Sequence, residues 1–463
     1  MRKARLKEIR LPEFGHSVEM PELDAAIFHS RLDRLRKRAI EADLDAVVIY
    51  ADREHSANMA WLTGFDPRFE EAVLVLPVKG EPVILAGLEN HGVAAASALK
   101  PQTVLYPPMG LMGQDRTQTP VLETVLRETG LEGGRTIGVA GWKYFGPLEQ
   151  LAGQSWLEVP SYLADTIRMI AGKSGRVVNA GALFMDPETG LRARLELEEL
   201  ARFEFAACHT SEAVKRVVRG TRPGMREFEA ATLMLPNGLP LSCHAMFSSG
   251  ERAWFGLPSP TSKVIEHGEA VTTAYGVQGA LNCRNGWLAE SADDLPENVR
   301  DYVEKLAAPY FEAVAAWLEM IAIGARGGDL YEAVMSRIGD PFFGVTLNPG
   351  HLIHLDEWMH SPVSKGSKAR LSSGMAMQVD IIPATGSPWF TANMEDGIAL
   401  LDERGRAEFA GRWPQAFARI EARRNFMEEQ LGITLHPEVM PLSNLASHLP
   451  PFWLSPDLAF SLR

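Results

Sequence analysis

The chain has 463 residues, 46% of them hydrophobic and 23% charged, with a formal net charge of -13. This is the composition of a globular protein of two or three domains, and its acidic balance excludes a surface built for nucleic acid or an anionic membrane, which the summed field would repel. Three cysteines, Cys208, Cys243 and Cys283, form neither a CxxC motif nor a dense framework, so a disulfide scaffold is not expected and a reducing, cytoplasmic setting is. In chain order, Leu32, Leu35, Ala39, Ala42 and Leu44 mark an amphipathic helix, and Ala46 to Tyr50 an apolar strand. Ala72 to Leu76 and Pro82 to Ala86 read as a hairpin around Lys79-Gly80. A strand at Thr136 to Ala140 and a helix at Ser161 to Ile170 complete an α/β unit, and Gly172 to Arg194 has the composition of a connection.

Beyond it, Leu195 to Val218 carries one apolar stripe (Leu197, Leu200, Ala201, Phe205, Ala206, Val214) and is stopped by Arg219-Gly-Thr-Arg-Pro-Gly224. A short helix is predicted from Met225, strands at Ala270 to Ala274 and Gly279 to Cys283, and helices at Val299 to Ile323 and Asp329 to Ile338. Strands at Met375 to Ile382 and Gly397 to Leu401 and a helix at Trp413 to Leu431 follow. Two helix pairs, each followed by strands, hint at an internal duplication. The apolar tail from Leu435 is expected to pack on its own domain or on a neighbouring subunit. No uninterrupted apolar run reaches the length of a membrane span, and the basic N-terminus lacks the apolar core of a secretory signal.

The densest chemistry is Gly350-His-Leu-Ile-His354-Leu-Asp-Glu-Trp-Met-His360, with three histidines and two carboxylates. With it stand Phe247-Ser-Ser-Gly-Glu-Arg252, Ala274-Tyr-Gly276, Gly374-Met through Asp380, and Asn393-Met-Glu395-Asp396. The order of these segments resembles the pita-bread family of methionine aminopeptidase, aminopeptidase P, prolidase and creatinase. Asn58-Met-Ala-Trp-Leu-Thr-Gly-Phe65 and Glu70-Glu-Ala-Val-Leu-Val-Leu76 are similar to the N-terminal domain of its two-domain branch. The resemblance implies an α/β fold: a creatinase/prolidase-type domain over residues 1–185, a pita-bread (α+β, pseudo-duplicated) domain over 190–430 and an extension over 431–463. It also implies a homodimer acting on a small molecule.

In the metal-dependent relatives two divalent ions are held by two Asp eleven residues apart, then His, Glu and Glu. Here the first Asp position is Ala274, and counting eleven onward puts the second at Asn285. Alanine offers no donor atom, and a neutral amide cannot bridge two cations, so a two-metal site is not expected. His351, Asp380 and Glu395 remain, a set that suits either no metal or a single divalent ion with open positions.

Three readings follow from the resemblance. The first is a creatinase-like, metal-free hydrolase of a C–N bond in a small amino-acid derivative, with no cofactor. In it His351 or His354, oriented by Asp380 or Glu395, acts as general base and Glu357 or His360 protonates a leaving amine. The second is a one-metal Xaa-Pro peptidase; the third, a non-catalytic binding protein that keeps the cleft. Creatinase's own acid/base positions fall at Leu257 and Trp287, which cannot do that work. Arg252 and Arg68 are candidates for a substrate carboxylate, with Arg68 acting across a dimer boundary. Trp254, Trp287 and Trp358 could line a pocket for a cationic group, although aromatic residues serve core packing more often. His351 in Asn-Pro-Gly-His and Asp380 in an apolar strand could equally be buried, hydrogen-bonded structural groups.

Overall fold

A computed structural model describes residues 2–463, except for the side chain of Phe255. The chain divides into two compact units, one of Leu23–Ala193 and the other of the residues up to Glu22 together with Arg194–Arg463. The boundary expected between 185 and 190 therefore falls at Ala193/Arg194. The first residues, expected in the N-terminal domain, belong to the C-terminal unit, because strand Arg5–Glu8 pairs antiparallel with Leu458–Ser461.

In the N-terminal unit a six-stranded mixed sheet runs in the order Gln102–Leu105, Val83–Ala86, Ala72–Pro77, Ala46–Ala51, Thr136–Ala140, Arg176–Asn179. The expected hairpin is present, with Val75 opposite Val83 and Ala72 opposite Ala86. Alternate residues of these strands, among them Val48, Tyr50, Val73, Val75, Leu85 and Val139, pack with Leu126, Leu163 and Ile167 of the covering helices, as the two-residue period of a strand requires. Helix Ala57–Thr63 stops at Gly64, whose φ of 76° lies in the left-handed region that favours glycine.

The C-terminal unit is built on one antiparallel sheet in the order His351–Leu352, Ala376–Asp380, Met394–Leu400, Ala280–Trp287, Ala270–Val277, Met246–Ser249, with Val439–Pro441 added beside Met394–Leu400. Its first three strands come from the second half of the unit and the last three from the first half. The two triplets meet between Met394–Leu400 and Ala280–Trp287, the arrangement an internal duplication would produce. Helix Leu197–Gly220 lies against strands Ala280–Trp287 and Ala270–Val277, and Ala308–Met320 against Ala376–Asp380. The helix predicted over Val299 to Ile323 is shorter than expected. Wide turns span Val303–Ala307 before regular helix begins at Ala308, since Pro309 has no N–H to donate backward and fits only a first turn. The helix expected from Trp413 begins at Pro414, where proline fits a first turn, and runs through Phe426 into wide turns over Met427–Leu431; a separate helix, Glu403–Arg412, precedes it.

The tail packs on its own unit. Besides the strand pairs, Trp453 is fully buried over Gly286, where an added Cβ would stand 2.5 Å from the indole nitrogen. No helix among the described residues is long and apolar enough to cross a membrane.

Candidate active site

The central strands place a row of side chains on one face. Ala274 is opposite Cys283, Cys283 opposite Glu395, and Glu395 opposite Asp380; directly opposed residues of antiparallel strands project to the same side. His351 joins them from the edge strand, opposite Gln378, which lies two residues from Asp380 and so on the same face. Gly350, just before it, has a φ of 103°, and a Cβ there would sit 2.9 Å from both the Gln378 carbonyl and the Trp317 ring. Glycine lets the His351 backbone come this close.

His351, Asp380 and Glu395 are all buried and each offers one donor atom within 4.8 Å of the others. His351 Nε2 lies 3.4 Å from Glu395 Oε1 and 3.9 Å from Asp380 Oδ2. These are ion-pair distances without hydrogen-bond geometry: His351 Nε2, Asp380 Oδ1 and Glu395 Oε1 are buried with no hydrogen-bond partner. Unsatisfied buried polar atoms are costly, and three clustered side chains that each carry one fit a single divalent cation held by one imidazole and two carboxylates. They do not fit a second ion of the two-metal kind, because Ala274 presents only a methyl group on the row.

Glu357 reaches in from the loop after His354, its Oε1 3.3 Å from His351 Nε2, and is 27% exposed, which makes it the one carboxylate of the group with access to solvent. Trp358 stacks on the His351 ring at 4.1 Å and 18°. Burial raises the Asp380 carboxyl to about 7, with Glu357 adding to it and His351 opposing. Burial and the neighbouring Asp380 also hold Glu395 well above the usual carboxylate range. Burial alone would depress the His351 imidazolium, but Glu357 and Glu395 outweigh it and hold its pKa well above the ordinary value. Without a metal, the cluster thus retains protons that the isolated groups would have shed.

Other expected site residues lie elsewhere. His354 faces Glu199, Nε2 to Oε1 at 3.5 Å, while its Nδ1 accepts from the Leu355 N–H. It is the partner of a buried carboxylate on the long helix and not part of the His351 group. Arg252 pairs with Glu227 and donates to the Ser259 carbonyl at 2.9 Å. Since Glu227 also accepts from Ser249 and Thr261, the guanidinium serves to hold the Ser248-Ser-Gly-Glu-Arg turn. Trp287 is buried and packs against Tyr302 and Phe390. Trp254 lies exposed on a short helical turn. His360 accepts from the Leu352 N–H through its backbone carbonyl. Arg68 belongs to the N-terminal unit and pairs with Asp66 at 2.6 Å.

Asn285 does not hold the position reached by counting. The turn between the two strands is only Gln278-Gly279, so the residue opposite Ala274 is Cys283, while Asn285 lies opposite Thr272. Its amide donates to the Val271 carbonyl at 3.1 Å. The shortness of Val277-Gln-Gly-Ala280 was the available signal for Cys283; Glu199 carried none.

An antiparallel, pseudo-duplicated α/β sheet with a mixed-sheet α/β unit before it is the architecture of the pita-bread proteins of the two-domain type. Residues 31–170 match the family Creatinase/Prolidase N-terminal domain. In fold the chain is similar to a prolidase from Thermococcus sibiricus (17% identity, 82% of this chain and 96% of that one, TM-score 0.63). It is also similar to the prolidase from Pyrococcus horikoshii OT3 (16%, 80% and 95%, TM-score 0.60) and to the aminopeptidase PepP of Pseudomonas aeruginosa (15%, 86% and 99%, TM-score 0.59). No curated protein matches it in sequence. The family match is that of residues 31–170, and the likeness of the whole chain to prolidases and to an aminopeptidase is one of fold.

Proposed function

We propose that the protein hydrolyses a C–N bond in a small amino-acid derivative or dipeptide, with one divalent ion held by His351, Asp380 and Glu395. The observation that carries this reading is the convergence of three buried ligand-type side chains, each with an unpartnered polar atom. When bound, such an ion polarises a carbonyl and makes water a better nucleophile near neutral pH. Glu357, within 3.3 Å of His351 and partly open to solvent, takes the proton from water and passes it to the leaving amine. Trp358 fixes the plane of the His351 ring through the stack, and the ring's Nδ1 lies 3.2 Å from the Leu352 carbonyl, which assigns the proton to Nδ1 and turns Nε2 toward the carboxylates.

The metal-free, creatinase-like version is supported by the same Glu357–His351–Glu395 contacts, which form an acid/base relay in their own right. Metal analysis of protein purified without chelator, together with a screen of dipeptides (Xaa-Pro included), lactams and amidines, separates the two. One ion per chain, lost in His351→Ala, is expected. Glu357→Gln should keep the ion and lose about 100-fold or more in kcat, the usual contribution of a general acid/base. Turnover without any ion would select the metal-free relay. Ligand binding without turnover would instead mark a binding protein.

A further inference from the structure

The half of the row that lacks carboxylates is lined by sulfur. Cys283 stands between Ala274 and Glu395, buried, on the face that carries Asp380 and His351. A Cβ on Gly276, two residues from Ala274 and on the same face, would meet Cys243 Sγ at 2.9 Å, so the second thiol covers the sheet beside the first. Glu395 and Asp380 both act electrostatically on Cys283, and Glu357 and Glu395 on Cys243. The two thiols therefore lie on the side of the sheet that carries the acid/base groups.

We propose that the cation of this site is a thiophilic one, of the zinc class, and that the Cys283 thiolate is its fourth ligand. The inference rests on the one-metal reading above. One imidazole, two carboxylates and one thiolate make a four-donor set suited to zinc, whereas manganese and magnesium favour oxygen. The Cys283 sulfur is not among the atoms lying within 4.8 Å of one another, so ligation takes a turn about its Cα–Cβ bond, a change between staggered wells. On binding, the S–H bond breaks, its proton leaves to solvent, and its electron pair goes to the ion, a release that ties affinity to pH. Zinc can add a fifth ligand, which leaves room for a substrate oxygen.

The test is titration of the full-length, chelator-stripped chain with cobalt(II) as a spectroscopic probe, followed by zinc–manganese competition. The expected result is one equivalent of cobalt with a near-ultraviolet sulfur-to-cobalt charge-transfer band, lost in both Cys283→Ser and Cys283→Ala and kept in Cys243→Ser. Cys283→Asp should shift the zinc-over-manganese preference by about tenfold or more toward manganese, at least what loss of an outer-shell partner costs. Stoichiometric cobalt with no such band, or with a band that survives in both Cys283 variants, overturns the thiolate ligand and leaves the one-metal reading standing. No cobalt binding by the wild-type chain overturns both.

Discussion

Cys283 and Asn285 lie two residues apart on one strand and face the same side, yet only Cys283 stands opposite both Ala274 and Glu395. Asn285 is fixed by a donated bond to the Val271 carbonyl and accepts from the Tyr302 hydroxyl at 3.4 Å. Asn285→Asp should therefore fail to create a second metal position. It would bring a carboxylate against a carbonyl in a buried place, at a cost of about 1–3 kcal/mol. Urea unfolding and metal analysis check both outcomes; a second bound ion in this variant would show that Asn285 marks the lost position after all. The contrast explains which residues were legible. His351, Asp380 and Glu395 each sit in a segment recognisable by itself, so their identity survives any error in loop length. Cys283 is defined only by register across a turn, and register depends on how many residues the turn holds. Glu199, which meets His354, is separated from it by most of the unit, and no local pattern announces such a partner.

A strong apolar period locates its element closely. Helix Leu197–Gly220 was expected from Leu195 to Val218, and its buried Leu200, Ala201, Phe205, Ala206 and Val214 are the residues of the predicted stripe. What the stripe does not account for is Glu204, fully buried on the same helix. It receives Arg419 at 2.6 Å and Arg423 at 2.9 Å from helix Pro414–Phe426. Arg423 is itself completely buried and also donates to Asn444. An amphipathic pattern records which face is apolar and says nothing about a charge inside it whose partner lies on another helix. Glu204→Leu should destabilise the unit by about 3–5 kcal/mol, because it strands a buried guanidinium. Adding Arg423→Leu should recover part of that loss, measured as a double-mutant cycle in urea. Additive losses would show that the two charges do not depend on each other. The helix boundary misplaced at Val299 has another origin: the apolar period there runs through Pro309, which regular helix does not accommodate beyond its first turn.

Across the whole chain, sequence-distant segments are tied together within the C-terminal unit. Residues 5–8 pair with 458–461, the Ile9 N–H donates to the Asp457 carbonyl at 2.6 Å, and His448 Nε2 donates to the Ile9 carbonyl at 3.0 Å. The tail is held to the sheet from below by Asp396, which accepts from Arg284, Asn282, Ser443 and the Ser447 N–H. Of these groups His448 is the one poised to titrate. Burial lowers its pKa from 6.5 to about 4, with Arg284 and Arg219 acting in the same direction against the Ile9 bond and Asp457. Between those values the unfolded chain carries a proton on this imidazole that the folded chain refuses, so the contribution of His448 to stability is complete above about 6.5 and is lost as pH falls toward about 4. The full span is worth on the order of 3 kcal/mol. His448→Gln keeps an N–H donor for the Ile9 carbonyl without a titrating group. Its stability relative to wild type should therefore rise steadily as pH is lowered through this window, in urea unfolding of both proteins at matched pH. The comparison cancels every carboxylate the two chains share, so a difference that stays flat between about pH 7 and about pH 4 would mean that His448 gains its proton without opening this junction, and that the acid lability of the unit is set elsewhere.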